Sequence, residues 1–430
     1  MREMQRILRG AAGVCAVGLL MAAPGSALAQ TAGRAPTFTK DVAPILQEKC
    51  QGCHRTGQMA PMALVTYEET RPWARSIKMR AVARDMPPWH MSRTIGIQEF
   101  MNDISLSDQQ IETIARWVDA GAPRGDVKDM PAPKQWPNAE RWRVEDELLH
   151  RPPDLLIKSD PWTQPAVGQD QWYQPEVESG LTEDRWIKAV EVRPTLKGRR
   201  ITHHANTALA EFAVGKIGEI FRDGTALLMK AGEKVEFDIH YHSVGEEVTD
   251  FITVGVWFYP KGYVPKHEVH HVALGISTAR EVLDIPPGKK TVHYSYEVLK
   301  QPTRIENFQP HMHFRGTGLA MEAIYPDGRS EMLSYVDRFN FNWHVNYIYT
   351  EDAAPVLPAG TVLRITGWHD NTNAKKTNPD PKQWVGWGRR GVDDMYFAHA
   401  NVVHLTQEEY DRIIQERKQK AVSTSVSAAQ

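Results

Sequence analysis

Cysteine is scarce in this sequence, with 3 residues in a chain of 430. Cys15 lies within an apolar stretch near the N-terminus, so only Cys50 and Cys53 remain farther along the chain. These two cannot build the disulfide framework on which many small secreted domains depend. The chain must therefore be stabilised by hydrophobic cores, and its length allows several domains.

Long apolar runs and an excess of charge of one sign are missing as well. The apolar run at 11–23 is shorter than the ~20 residues that a membrane-spanning helix needs, and no later segment looks transmembrane. The formal net charge is −2, with no basic patch, which argues against nucleic acid as a partner. We therefore expect neither a membrane span in the mature chain nor nucleic-acid binding.

The N-terminus has the pattern of a secretory signal peptide. Arg2, Arg6 and Arg9 precede the apolar run at 11–23, and a small-x-small site ends at Ala29. Such a positive start, apolar centre and small-residue site direct export and are removed afterwards. The sequence therefore predicts a signal peptide over residues 1–29, cleavage after Ala29 and a periplasmic location.

Cys50 and Cys53 are separated by two residues, and His54 follows directly. Cys-x-x-Cys-His is the pattern of covalent haem attachment, in which the thiols add to the haem vinyl groups and the histidine ligates the iron. The alternatives are a thioredoxin-type redox pair and half of a zinc site. The first lacks its surrounding βαβ pattern, and the second lacks two further nearby ligands. We expect one covalent haem c.

The segments before and after this motif have the residue pattern of helices. Apolar spacing predicts helices over 38–47, 70–83 and 106–120, the last with a serine cap at its start and a Gly-Ala-Pro stop. Together with the haem motif, this segment resembles the class I-like c-type cytochromes over roughly residues 36–126. The resemblance implies an N-terminal all-α cytochrome c domain, which we place at 30–126.

A sixth ligand to the haem iron is expected from a methionine or histidine on the loop before the last helix. Met86 is the best candidate, because the two prolines that follow it keep the backbone extended and out of a helix. Met79, His90 and Met91 are the competitors, and each is better explained as a packing or surface residue. We therefore predict Met86 as the axial ligand opposite His54.

The rest of the chain has mostly β character. A linker rich in proline and tryptophan is predicted at 127–149. Short alternating runs then recur between turn residues, for example at 186–192, 234–242, 253–258 and 361–366. Recurring short strands predict sandwiches, which we place at 150–279 and 280–405. A capped helix opens the C-terminal segment 406–430, which continues as a helical or disordered tail. The predicted fold class is multidomain, with an all-α domain followed by two all-β sandwich domains.

Histidine is plentiful, with 17 residues, and several are patterned. The patterned groups are His203-His204, His240-x-His242 and His311-x-His313. A two-residue step on a strand places both side chains on one sheet face, where they can hold one metal. An adjacent pair points to opposite faces unless the strand bulges or ends there. Imidazole suits Zn, Cu, Fe and Ni alike, so spacing alone leaves the metal open.

The remaining histidines carry weaker signals. A lone histidine is usually a surface residue or a hydrogen-bonded core residue. We apply this interpretation to His150, His267, His293, His344, His399 and His404. His270, His271 and His369 stay ambiguous.

The order of four motifs is recognisable as a set. ITHHANTAL, DIHYH, QPHMHFRGTG and GRRGVDDMYF follow one another along the chain. This order resembles the copper type II ascorbate-dependent monooxygenases, which include the peptidylglycine α-hydroxylating and dopamine β-monooxygenases, over roughly 150–405. The resemblance implies two jelly-roll-like β-sandwiches that face each other across an open cleft, each with one copper.

The resemblance also assigns ligands to the two coppers. The electron-storing copper takes His203, His204 and His240, and the oxygen-binding copper takes His311, His313 and Met395, which are also the catalytic residues. A thioether such as that of Met395 is soft and favours Cu(I), the state that must meet O2. Asp394 matches the acidic position of the family. His242 matches no required ligand and is expected to line the cleft wall.

Three departures from the family matter. Its disulfides are absent, because no cysteine remains to form them. The peptide-amidating branch has an arginine two residues before its His-x-His pair, where this chain has Gln309. A peptidylglycine substrate is therefore not expected. The interval from His204 to His240 is also shorter than in the animal enzymes, so the loops around the first copper must differ.

These features together predict an exported monooxygenase that hydroxylates a C–H bond of a small molecule with O2. The haem would feed electrons to the two coppers and would itself be loaded by a periplasmic electron donor. The alternative is a non-catalytic periplasmic electron-transfer or copper-binding cytochrome. A third interpretation is an oxidase or dehydrogenase that passes substrate electrons out through the haem.

Overall fold

The structure of the protein is a computed structural model. It describes residues 34–58, 60–136, 141–213, 216 and 218–428. The predicted signal peptide lies outside these residues, as does its cleavage site after Ala29. Within the described part of the chain, no helix is long and apolar enough to cross a membrane.

The N-terminal segment is helical where the sequence predicts helices. Its α-helices are α1 (Ala43–Lys49), α2 (Tyr67–Thr70), α3 (Ala74–Val82) and α4 (Asp108–Asp119), with one-turn π- or 3-10 helices at Phe38–Val42, Arg71–Trp73 and Val127–Asp129. The Ser107 hydroxyl accepts the backbone N–H of Gln110, and the Gln110 side chain accepts that of Ser107. This capping box satisfies two N–H groups that a helix start leaves unpaired. The helix predicted over 106–120 is thereby confirmed.

The helices pack through their apolar faces. Trp117 on α4 is fully buried and meets Phe38 with ring centroids 6.2 Å apart. Its indole N–H donates to the carbonyl of Pro123, just past the helix end, at 3.0 Å. Leu46 on α1 joins the same cluster of buried side chains. Helix α1, which leads into the Cys-x-x-Cys-His motif, is thus anchored by buried side chains.

Strands dominate from residue 155 onward. The first group is β1 (Leu155–Lys158), β2 (Trp162–Gln164), β3 (Gln171–Tyr173), β4 (Glu176–Glu178), β5 (Arg185–Pro194), β6 (Thr202–Thr207), β7 (Glu211–Ala213), β8 (Glu219–Ile220), β9 (Thr225–Met229), β10 (Lys234–Tyr241), β11 (Val248–Asp250), β12 (Ile252–Phe258) and β13 (His267–Leu274). Short helical turns at Val144–Leu149 and Gly198–Arg200 interrupt this part of the chain. Strands β5, β10 and β12 contain runs whose alternation the sequence analysis identified.

The second group follows helix α5 (Ile276–Val282). It consists of β14 (Asp284–Ile285), β15 (Lys290–Val298), β16 (Thr303–Ile305), β17 (Asn307–Met312), β18 (Gly316–Ile324), β19 (Ser330–Val336), β20 (Tyr347–Ile348), β21 (Val356–Leu357), β22 (Val362–Asp370), β23 (Val385–Gly386) and β24 (Tyr396–His404), and helix α6 (Gln407–Ala428) closes the described chain.

One large sheet runs through both groups. Over the described residues its order is β1-β12-β5-β9-β13-β24-β16-β21, with β8 beside β5, β17 beside β24 and β20 beside β17. A second sheet, β3-β10-β6-β7 with β4, covers the first half, and a third, β15-β22-β18-β19, covers the second half. Each covering sheet encloses its own hydrophobic core. The β part is therefore two sandwiches that share one sheet.

The boundary predicted between 279 and 280 falls inside α5, within a compact unit that spans residues 36–430. Strand β13, before that boundary, pairs antiparallel with β24, after it, from Val269↔Val403 to Leu274↔Ala398. Backbone hydrogen bonds between β13 and β24 thus join the two halves into one sheet.

Alternation along β17 and β24 decides which side chains face the first half. Tyr396 and Ala398 point into the core of the second sandwich. Phe397, His399 and His311 lie on the opposite face, because successive side chains of a strand alternate. His311 pairs directly with Phe397 and stacks on its ring at 4.7 Å. His311 and His399 therefore face away from the core of the second sandwich.

The segment after α3 packs against the second sandwich. Trp89, Met91 and Phe100 are buried members of that core. The Trp89 ring meets Tyr347 edge-on at 4.7 Å, and Phe100 stacks on Tyr349 at 5.4 Å. The chain that follows Met86 is thus held against β20 and against Tyr349, which follows that strand.

Candidate metal centre

The Cys-x-x-Cys-His motif forms a tight turn at the end of α1. The carbonyl of Cys50 accepts the backbone N–H of Cys53 at 3.1 Å and that of His54 at 2.9 Å. These local bonds fix the spacing of the three side chains without help from distant parts of the chain. The turn alone therefore presents both thiols and the imidazole.

His54 is oriented as a metal-binding histidine would be. Its Nδ1 lies 3.2 Å from the carbonyl oxygen of Met62, the geometry of an N–H donating to that oxygen. Histidines that ligate metals commonly donate their second ring nitrogen in this way, which fixes the tautomer and the ring orientation. The Nε2 atom of His54 is then left as an acceptor. This arrangement fits the predicted axial ligand of a haem iron.

The two thiols are not paired with each other, and both cysteines are half-buried. Burial, reinforced by the neighbouring Cys53, raises the pKa of the Cys50 thiol to about 12. Reactive redox cysteines have a lowered pKa, because the thiolate is the nucleophile. The alternative of a thioredoxin-type pair is disfavoured.

Met86 lines a cavity together with Ala81, Leu106, Ile111 and Arg338. Neither the two cysteines nor the histidine of the haem motif line this cavity. Met86 as the ligand opposite His54 therefore stays a prediction.

The three competitors of Met86 have other environments. Met79 is 59% exposed, and Met91 is buried in the core of the second sandwich. His90 is buried, and burial lowers its pKa to about 4. All three thus occupy surface or packing positions.

The first predicted copper triad converges in space. His203, His204 and His240 each offer a ring nitrogen, and these nitrogens lie within 4.8 Å of one another. His204 pairs with His240 across β6 and β10, but the next pair is Thr202 with Tyr241. His203 is thus the extra residue of a β-bulge, which re-aims its side chain. The bulge explains why two adjacent histidines reach one site.

His240 is held from behind by an acidic side chain. Its Nε2 lies 2.8 Å from an Asp170 carboxylate oxygen, and its ring stacks on Trp172 at 4.1 Å. The Nδ1 atom is buried without a hydrogen-bond partner. A carboxylate behind a histidine orients it as a metal ligand. His242 lies outside the converging group, one residue beyond the end of β10.

Burial favours the neutral form of four histidines in this region. Burial lowers the pKa of His203 to about 2 and that of His204 well below its usual value, and neighbouring histidines add to both effects. Burial likewise lowers the pKa of His311 and His313. Neutral imidazole is the form that ligates metals. These four side chains are therefore held in the form that can bind a cation.

The second predicted triad is organised by Asp394. One oxygen of its buried carboxylate accepts the backbone N–H groups of His313 at 3.0 Å and of Met395 at 2.9 Å, and the other accepts that of Arg315 at 3.0 Å. His313 Nδ1 lies 3.2 Å from the carbonyl oxygen of Asp393. Asp394, the acidic position in the family resemblance, thus holds the backbones of two predicted ligands, His313 and Met395, by hydrogen bonds.

Register places Met395 with the histidines. The pairs His311↔Phe397 and Met312↔Tyr396 put Met395 opposite His313 if the ladder is continued by one residue. Directly opposed residues of antiparallel strands point to the same face. Met395 therefore belongs to the face that carries His311 and His313, and it is half-buried there.

The two triads are in contact with each other. The rings of His204 and His311 have centroids 6.3 Å apart, and both residues are buried. The resemblance implied an open cleft between the two sites. The structure differs, because the two sheet faces that carry the triads close onto each other.

His344 is a residue of the cluster that its sequence context did not predict. It stands alone in the sequence and was interpreted as a surface or hydrogen-bonded core residue. Its side chain is 1% exposed, and neither ring nitrogen has a hydrogen-bond partner. No spacing rule could have found it, because it lies in the loop between β19 and β20. Only the packing of that loop brings it to the cluster.

A buried polar network borders the cluster. Lys216 donates to Glu219 at 2.6 Å and to the Gln309 side-chain oxygen at 3.1 Å, and Gln309 donates to Glu211. Burial raises the pKa of Glu211, but its contact with His344 and the nearby Lys216 charge outweigh that effect and lower it overall. Gln309 is thus occupied within the fold.

The other lone histidines divide into two classes. His150 is exposed, His267 lies 3.3 Å from Glu409, and His404 lies 3.2 Å from the Thr303 hydroxyl, as expected for surface or bonded residues. His399 is half-buried, with its ring 5.9 Å from that of His311 and stacked on that of His271 at 5.3 Å. His399 and His271 therefore extend the cluster.

Near Asp394, His369 places its Nε2 3.5 Å from the carboxylate. His293 stands 5.2 Å from His369, measured between ring centroids, and its Nε2 lies 2.9 Å from the carbonyl oxygen of Asp284. His369 thus contacts the carboxylate that binds the backbone of the second triad, and His293 packs beside His369.

Comparisons with known proteins add little. No family model and no curated protein matches the chain. Among solved structures it is similar to the major capsid protein P2 from bacteriophage PM2, with 10% identity and a TM-score of 0.30, over 59% of this chain and 97% of that one. A structure of infectious bursal disease virus, Gx strain, has 10% identity and a TM-score of 0.16, over 61% and 76%. Such low scores carry no argument about this chain.

Proposed function

We propose that this protein is an exported monooxygenase related to the copper type II ascorbate-dependent enzymes, with a c-type haem on its helical N-terminal domain. Its signal peptide would be cleaved after Ala29, and the mature chain would act in the periplasm. The observation that carries the proposal is the convergence of the ring nitrogens of His203, His204 and His240 within 4.8 Å. Unpartnered buried nitrogens cost free energy unless something binds them.

The donor set supports copper. His203, His204 and His240 would hold one ion, and His311, His313 and Met395 the other. Imidazole binds several metals, but a thioether beside two imidazoles selects copper, in particular Cu(I). Bound copper would activate O2 and a bound haem would deliver single electrons, so that a C–H bond, O2, two electrons and two protons give a hydroxyl group and water.

The haem is supported by residues of the motif turn. Cys50 and Cys53 would bind the vinyl groups, and His54, oriented by the carbonyl of Met62, would be the proximal ligand. Met86 is our proposal for the distal ligand.

The chain provides contacts between the two regions. His90, four residues after Met86, donates its backbone N–H to the Tyr347 hydroxyl at 3.2 Å, and Arg338 donates to the carbonyl of Ala83 at 2.9 Å. Residues 338 and 347 flank the loop that carries His344. Electrons received from a periplasmic donor would have a continuous protein path from the helical domain to the histidine cluster.

Aromatic rings shield the cluster from water. Phe341 stacks on His203 at 4.6 Å and also packs against His313, while Phe397 stacks on His311. Excluding water strengthens electrostatic interactions within a site and prevents side reactions of activated oxygen. The half-buried ring of His203 marks the side from which O2 and a small substrate would enter.

One observation favours a second candidate. Contact between His204 and His311 leaves no open cleft between the triads. A closed site suits a non-catalytic copper-binding or electron-transfer cytochrome, which needs no room for substrate. That candidate predicts bound copper without substrate-linked O2 uptake.

The test is metal analysis of the purified protein, together with Cu(I) competition against a chelator. We expect one iron and two coppers per chain. Met395→Ala should weaken Cu(I) binding at one site and leave Cu(II) binding nearly unchanged, because the lost ligand is soft. Met101→Ala, at an exposed methionine, is the matched control. Iron without copper would refute the proposal.

A further inference from the structure

His344 stands between the two predicted copper triads. Its ring centroid lies 5.3 Å from those of His203 and His204, and 5.2 Å from that of His311. The first two histidines belong to the first triad and the third belongs to the second. His344 is thus in contact with members of both.

The surroundings of His344 are those of a ligand rather than a packing residue. Both of its ring nitrogens are buried without a hydrogen-bond partner. A position that required only packing would be filled more favourably by an apolar side chain, because an unpaired buried polar group is costly. Phe341, in the same loop, shows that aromatic packing against the cluster is already provided.

An acidic side chain lies behind the ring. Glu211 is buried, and one of its carboxylate oxygens lies 3.6 Å from His344 Nδ1. Asp170 contacts His240, a member of the converging triad, more closely, at 2.8 Å from its Nε2. A carboxylate behind a histidine fixes the ring and raises the basicity of its free nitrogen toward a metal. Glu211 would therefore orient His344 toward the other histidines.

We propose that His344 is an additional copper ligand, which would supply its Nε2 atom to one of the two neighbouring triads. This inference rests on the proposed function, since it presupposes copper in the triads. Glu211 acts as the positioning residue, and the Nε2 atom of His344 is the donor. The ligand set of the protein then includes a residue from the loop between β19 and β20, outside both triads assigned by family resemblance.

The experiment uses the full-length protein with its covalent haem retained and its exchangeable metals removed by a chelator. Wild type, His344→Gln and Glu211→Gln are titrated with Cu(II) and Cu(I) against a competing chelator, and bound Cu(II) is examined by electron paramagnetic resonance. His404→Gln is the matched control, because His404 lies on β24 and bonds Thr303 instead of facing the cluster. We expect His344→Gln to lower the affinity of one copper by at least about tenfold and to change its spectrum. Glu211→Gln should produce a smaller change in the same direction.

The outcomes separate this inference from the proposed function. Two coppers bound by His344→Gln with wild-type affinity and spectrum would overturn the inference and leave the proposed function standing. A wild-type protein that binds no copper would overturn both. If His344→Gln does not fold, as judged by circular dichroism, Glu211→Gln decides, and an unchanged copper affinity in that variant counts against the role of His344.

Discussion

The haem motif and the histidine cluster are built in opposite ways. Cys50, Cys53 and His54 sit on one turn, and their spacing is set by hydrogen bonds to the carbonyl of Cys50. The cluster is assembled from β6, β10, β17 and the loop between β19 and β20, which are far apart in sequence. A local turn keeps its geometry when distant residues change, whereas an assembled site depends on the packing of two sandwiches. The two regions should therefore respond differently to substitution.

The largest effect is expected from removing the thiols. Replacing Cys50 and Cys53 by alanine should abolish covalent haem completely, because no thiol remains to add to the vinyl groups. Copper binding by the cluster should be unchanged. Haem content after extraction under denaturing conditions and copper per chain are the measurements, with Met79→Ala as an exposed control. Loss of copper binding in the double variant would show that the two regions are not independent.

A smaller but still large effect is expected from Asp394→Ala. The substitution leaves the buried backbone N–H groups of His313, Arg315 and Met395 without their acceptor, and should lower the free energy of unfolding by about 3–5 kcal/mol. Urea unfolding measures it. Asp393→Ala is the matched control, because its side chain only pairs with the exposed Arg390 and its carbonyl is retained. Equal effects of the two substitutions would contradict the role of Asp394 as the organiser of this site.

The last effect concerns pH and the metal-free protein, and for a single histidine it does not exceed the loss expected from Asp394→Ala. Burial lowers the pKa of His90 from 6.5 to about 4, so between these values the unfolded chain binds a proton that the folded chain does not. Stability should therefore fall as pH decreases from 6.5 to 4, by about 1.4 kcal/mol per pH unit for each such histidine. Unfolding midpoints in that range measure the slope.

His90→Gln should make this slope shallower by about the contribution of one histidine, because glutamine does not titrate. His150→Gln, at an exposed histidine, should leave the slope as it is in the parent protein. If the stability of the metal-free protein is constant between pH 6.5 and 4, the buried histidines are not held neutral by the fold.

Much of the secondary structure could be predicted from pattern. The helix over 106–120 follows from its serine cap and apolar spacing, and the strand at 234–242 follows from strict alternation. Both are short-range properties, since a helix or strand is favoured by residues a few positions apart. The convergence of His203, His204 and His240 was expected from family resemblance, while spacing alone made the adjacent pair the weaker signal. The β-bulge at His203 explains why the adjacent pair nevertheless reaches one site.

Other features depend on contacts between distant residues. The pairing of β13 with β24 carries one sheet through both sandwiches, and no local pattern encodes which strand will be the neighbour of another. The closure that brings His204 against His311 follows from that shared sheet. His344 joins the cluster only because its loop is folded over the site and held there by Phe341 and Tyr347.

For this protein, residue pattern was sufficient for the haem motif turn, the helices around it and the faces of individual strands. These features are governed by interactions within a few residues, which are readable from a single chain. The contact between the two triads, the acidic residues behind His240 and His344, and the membership of His344 itself required the folded molecule. They arise from side chains that approach one another only when the sheets pack. The positions of these residues in the sequence do not show that they are neighbours in space.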